Sequence, residues 1–66
     1  MSDNLKNTVP DIAERISQLY LAMMKTHTDD EIATTINDIL LLKYKISISL
    51  LQSSWDHFAK QKGVLL

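Results

Sequence analysis

The chain has 66 residues, 45% of them hydrophobic, and carries seven Lys+Arg against eight Asp+Glu for a net charge of −1. A chain this short forms one domain that is marginal alone and calls for a staple or a partner; with no cysteine, disulfides and thiolate metal sites are excluded. The charge balance argues against a phosphate-neutralising surface, and the longest apolar run, "ILLL" at 39–42, is far below the ~20 residues of a membrane span.

The polar opening "MSDNLKNTVP" has no signal-peptide character. Residues 1–8 are read as a flexible segment, residues 9–66 as a single helical domain, and the location as cytoplasmic. Pro10 sits in the first turn of a predicted helix, where its missing N–H is harmless. Thr8 is a candidate N-cap, with Asp11 completing a weak capping box. Ile12, Ile16, Leu19, Tyr20 and Met23 then recur at helical spacing, which predicts a first helix near 9–26, closed by Lys25 at the negative end of its dipole.

A second helix is expected near 28–42. Thr28 and Glu31 have the spacing of a capping box, and Asp29 and Asp30 add favourable negative charge to the first turn. The three adjacent acids are a solvated cap rather than a metal site. Ile32, Ala33, Ile36, Ile39 and Leu40 continue an apolar stripe.

The stretch "LLLKYKISISLL" at 40–51 admits two readings. As a strand, it places Tyr44, Ile46, Ile48 and Leu50 on one face, but no other segment alternates to pair with it. As a helix, Leu41, Tyr44, Ile48, Leu51, Trp55 and Phe58 keep heptad spacing. The helical reading is preferred. A single straight helix over 28–62 would be about 52 Å long, whereas a globule of this length is about 30 Å across. A break is therefore expected, with a third helix near 47–62. Ser47 can cap it, with Ile46 and Leu51 as a hydrophobic staple; Ser49 and Gln52 form a rival capping box, and the sequence does not choose between them. At the far end, Gly63 suits a left-handed C′ position with Val64 packing back on Ala59.

Nine of the thirteen residues over 39–51 are apolar and point all round a helix, which requires burial on every side. The first helix offers only one stripe, so the surplus surface is expected to meet another chain. The fold class is accordingly all-α, a bundle of about three helices completed by dimerisation. The six seam residues Leu41, Tyr44, Ile48, Leu51, Trp55 and Phe58 are the expected partner or self-association surface. Its flanks, Lys45, Ser47, Gln52, Ser54, Ala59 and Gln61, lack the opposite charges that fix a parallel zipper, which favours a packed bundle.

Catalysis has little to stand on: neither a nucleophile motif nor a glycine-rich phosphate loop is present. "SSWDH" at 53–57 contains Ser, Asp and His, but consecutive helical residues point apart, whereas a triad is assembled from separate elements. His27 and His57 lie in different segments with no second histidine at i+3 or i+4, so a two-histidine helical metal site is not encoded, and no metal, cofactor or small-molecule substrate is expected. The expected function is a non-enzymatic helical interaction module: a regulator, inhibitor or assembly subunit. The alternative is a helix-turn-helix DNA-binding regulator, with "DDEIATTIN" as first helix and "ISISLLQSSWDHF" as recognition helix. Against it stand the apolar run where the turn belongs and a candidate recognition helix whose first turns lack Arg or Lys.

Overall fold

The computed structural model describes residues 5–62. They form three α-helices, α1 (Val9–Met23), α2 (Asp29–Asp38) and α3 (Ile48–Lys62), with a π-helical turn at Ile39–Lys43 extending α2. Among the described residues there is no strand, so the period-two look of 44–50 is not a pairing pattern. The molecule measures 26 × 23 × 22 Å. A continuous helix over 28–62 would stand out of it by half its length, and the chain folds back instead.

The caps are those the residue types call for. The Thr8 hydroxyl oxygen accepts from the Asp11 amide at 3.4 Å and lies 2.9 Å from the Asp11 carboxylate, to which it donates. Thr28 and Glu31 satisfy each other reciprocally, Thr28 N–H to Glu31 Oε1 at 2.9 Å and Glu31 N–H to Thr28 Oγ1 at 3.3 Å. Two first-turn amides that would otherwise be orphaned gain partners in this way. α1 stops at Met23 rather than continuing to 26. The amides of Thr26 and His27 both turn back to the Met23 carbonyl, at 3.1 and 3.0 Å, and the extended backbone of Thr28 begins the next cap.

Between the two possible starts of α3 the structure selects the earlier. Ser47 Oγ accepts from the Leu50 amide at 3.2 Å, and Ile46 and Leu51 are both buried in the core, as a staple across that cap requires. Of the segment 1–8 read as flexible, Leu5 packs against the core and Thr8 caps α1, while residues 1–4 lie outside the described part. The proposed Gly63 cap and its Val64–Ala59 contact also lie outside it.

The core is a single cluster: Ile12, Ala13 and Ile16 from α1, Ile32, Ile36 and Leu40 from α2 and its extension, and Ile46, Leu51 and Phe58 from the third segment. Each fully buried aliphatic side chain contributes about 1.5–3 kcal/mol of transfer free energy. Ser54 is also wholly buried. Its hydroxyl donates to the Leu50 carbonyl at 2.7 Å, which satisfies the group without a partner from another helix. Read from sequence as a polar flank of the seam, Ser54 is instead part of the interior, where its small volume lets α3 pack closely.

Two polar clasps join the helices. Trp55 Nε1 donates to Asn37 Oδ1 at 2.7 Å, tying α3 to α2. The Tyr20 hydroxyl donates to Asp29 Oδ1 at 2.7 Å, tying the end of α1 to the start of α2. That hydrogen bond, followed by desolvation and the nearby carboxylate charge, holds the Tyr20 phenol above the ordinary tyrosine pKa. Phe58 lies between the two clasps, with its ring centroid 5.6 Å from Tyr20 and 5.7 Å, edge-on, from Trp55.

Candidate functional site

The most irregular part of the backbone also carries two of the four exposed large apolar side chains among the described residues, Leu42 and Ile48. At the end of α2 the hydrogen bonding widens: the Tyr44 amide donates to the Ile39 carbonyl at 3.3 Å, and the Ile46 amide reaches the Leu40 carbonyl at 3.0 Å. Lys45 bridges them in the left-handed region, with φ of 59°. This resembles a Schellman closure one residue wider than usual, with a lysine where glycine would be favoured. A non-glycine residue there costs about 1 kcal/mol. The closure directs Ile46 inward, to the core beside Leu40. π turns of this type recur at functional sites.

Leu42, 70% exposed, closes the π turn on its outer side, and Ile48, 65% exposed, opens α3 just beyond the break. Lys43 and Lys45, both exposed, lie between them in the chain. The Tyr44 ring is flanked by Lys43 Nζ at 5.4 Å and the Arg15 guanidinium at 5.5 Å from its centroid. Both distances fall within cation–π range. The Tyr44 ring thus holds two positive side chains at this end of the molecule.

The six residues expected to form one continuous seam do not do so. Leu51 and Phe58 are interior, while Trp55, Leu41 and Tyr44 are half-buried against the core. Ile48, expected mid-seam, faces outward. Heptad spacing held across 41–58 in the sequence, but the π turn, the left-handed Lys45 and the fresh start at Ser47 change the rotational phase between Tyr44 and Ile48. The requirement that residues 39–51 be covered by another chain is met largely from within. Leu40, Ile46 and Leu51 are buried, Ile39, Leu41, Tyr44 and Leu50 are half-buried, and only Leu42 and Ile48 of the nine are exposed. Leu42 was missed by the seam reading. Its signal was the four-residue apolar run itself: at 3.6 residues per turn, four successive side chains span most of the helix circumference, so one must point outward.

Among the described residues, Ser54 and Asp56 of the "SSWDH" stretch and His27 are engaged locally. Ser54 is committed to its own helix carbonyl, and Asp56 pairs with Lys60 at 3.1 Å on the outer face of α3. His27 lies exposed in the turn between α1 and α2, its Nδ1 2.8 Å from Thr26 Oγ1. Among the described residues no three His, Cys, Asp or Glu side chains are placed to hold a metal ion, and no helix is long and apolar enough to cross a membrane. Comparison with protein-family models, with curated proteins and with solved structures gives no match.

Proposed function

We propose that this protein is a non-enzymatic interaction module, a regulator or assembly subunit that binds a protein through the end formed by Leu42, Lys43, Tyr44, Lys45 and Ile48. The observation that carries the reading is the pair Leu42 and Ile48. Both remain exposed although the break that separates them buries their neighbours Leu40 and Ile46 completely or nearly so. A chain with a marginal core leaves two large aliphatic side chains in water at the place where its backbone is also strained. Exposed apolar groups rimmed by polar ones mark interaction sites. Activity in the cytoplasm belongs to the same proposal, since a thiol-free chain needs no oxidising compartment in order to fold.

Reading DNA with α3 is less well supported. The turn over 44–47 does separate two helices, as a helix-turn-helix would require, and Lys43 and Lys45 precede α3. The exposed side chains of the first two turns of α3, however, are Ile48, Ser49, Gln52 and Ser53, which offer no cation to phosphate or guanine.

A photo-cross-linking residue placed at 42 or 48 in the native cell tests the proposal. Adducts with protein at both positions, and none at the exposed Ser53, are expected. An absence of adducts at 42 and 48 refutes it.

A further inference from the structure

We propose that this chain exchanges α3 with a second copy by straightening the break at 44–47, so that α2, its π turn and α3 become one rod. The exchanged surface is the core face of α3, and the exchange therefore stands apart from docking at Leu42 and Ile48. Strain favours it. Lys45 holds the closed turn in the left-handed region, with φ of 59°, where a residue with a Cβ is disfavoured. Short connections under strain invite exchange of the element beyond them. Hydrogen bonding points the same way. The closed turn rests on wide bonds, from the Tyr44 amide to the Ile39 carbonyl and from the Ile46 amide to the Leu40 carbonyl. A straightened segment replaces both with ordinary i to i−4 helical bonds.

The buried faces are also in phase for such a rod. α2 and its extension bury Ile32, Ile36 and Leu40, and α3 buries Leu51, Ser54 and Phe58. In one uninterrupted helix, at about 100° per residue, all six fall within about 100° of arc. That is the width of an ordinary core-facing stripe. Two helices that the closed molecule folds against a common α1 thus carry the face of a single longer helix. From Asp29 to Lys62 that helix is about 51 Å long, roughly twice the 26 Å length of the closed molecule. One core fits on each half: the chain's own α1 against the α2 half, and the partner's α1 against the α3 half.

Exchange conserves the contacts of α3. The Phe58 ring against Tyr20 and the Trp55 hydrogen bond to Asn37 join α3 to α1 and α2, and each re-forms between the two chains of a reciprocal dimer. The Tyr20–Asp29 clasp stays within one chain. Ile46 opposes straightening. It is buried in the closed molecule but falls about 40° outside the shared arc, so the rod takes it out of the core. The Ser47 cap on the Leu50 amide is given up as well, and that amide passes to the Ile46 carbonyl. Strain at Lys45 and burial of Ile46 pull in opposite directions. Mass action decides between them, with the closed monomer in dilute solution and the exchanged dimer in concentrated solution.

Sedimentation velocity paired with a distance measured inside one chain tests the exchange. Thr34→Cys and Gln61→Cys, at exposed positions of a chain without cysteine, carry nitroxide labels for pulsed electron paramagnetic resonance. The labelled full chain is mixed in urea with an excess of unlabelled chain and refolded at about 10 μM or about 1 mM. At the lower concentration a monomer is expected, its label separation inside the 26 Å length of the closed molecule. At the higher a dimer is expected, with an intrachain separation of about 40 Å, the rise of a helix from 34 to 61. Lys45→Ala removes the lysine charge but keeps a Cβ, so its dimer should match or exceed that of wild type. Lys45→Gly relaxes the closed turn and weakens the rod. Its dimerisation constant should be lower than that of Lys45→Ala by at least about 25-fold, about fivefold per chain. A wild type monomeric at about 1 mM, or equal dimerisation of Lys45→Gly and Lys45→Ala, overturns the proposal. So does a dimer whose label separation keeps the monomer value, a result that would leave docking at Leu42 and Ile48 standing.

Discussion

Ile46 and Ile48 are two residues apart, identical in chemistry and opposite in fate, with exposures of 4% and 65%. A strand over 44–50 would give them the same environment, and an uninterrupted helical seam would bury Ile48 in preference to Ile46. The break at Lys45 reverses that order, so the pair measures whether the break is real. Ile46→Ala removes a buried aliphatic side chain and leaves a cavity among Leu40 and Leu51, at about 2–5 kcal/mol. A domain of this length has about 3–10 kcal/mol in total, so the variant should be largely unfolded or shifted far down in urea midpoint. Ile46→Asp adds an unpaired buried carboxylate and should not fold. Ile48→Asp should cost no more than about 0.5 kcal/mol, because its charge points into water at the first turn of α3, where the helix dipole favours it. Urea unfolding followed by circular dichroism at 222 nm reads both. A loss above about 2 kcal/mol for Ile48→Asp, or less than about 0.5 kcal/mol for Ile46→Ala, would refute the phase change at the break.

Lys45→Gly should stabilise the chain by about 1 kcal/mol, since glycine takes the left-handed φ of 59° without a Cβ clash; an unchanged or lowered urea midpoint would show that Lys45 is not strained there. Asn37→Ala should cost about 1–3 kcal/mol by leaving the Trp55 indole N–H without its acceptor, and the tryptophan fluorescence should report the lost clasp; unaltered stability and emission would mean that water serves equally well. Tyr20→Phe tests the other clasp through pH. Because the folded-state pKa of Tyr20 is raised, chiefly by its hydrogen bond to Asp29, the contribution of that bond is fully present below about pH 10. It is then lost as pH rises through the higher folded value. The advantage of wild type over Tyr20→Phe should therefore be constant at neutral pH and shrink in alkali, and an advantage that grows above pH 10 would contradict the assignment.

The elements most legible in the sequence are those set by contacts a few residues apart. Thr28 and Glu31 name the start of α2 because a capping box is closed within four residues, and Ile12, Ile16, Ile32 and Ile36 name the inward faces because 3.6-residue periodicity is a local property. Those four are all buried. The break was legible from size alone, since no helix over 28–62 fits a molecule of this length.

How the chain turns at the break was not legible. No glycine marks Lys45 as left-handed, and Ser47 and Ser49 are equivalent as caps until something chooses between them. Packing makes that choice. Seating both Ile46 and Leu51 against Leu40 requires the cap at Ser47, and the widened turn after Ile39 supplies the needed rotation. The same closure decides what the site is made of, by drawing Ile46, Leu51 and Phe58 inward and leaving Leu42 and Ile48 in water. Sequence by itself determined the three helices, the N-caps of α1 and α2 and the apolar surplus of residues 39–51. Which part of that surplus faces out depends on the rotational phase between α2 and α3, and the left-handed backbone of one strained lysine, balanced against core packing, sets that phase.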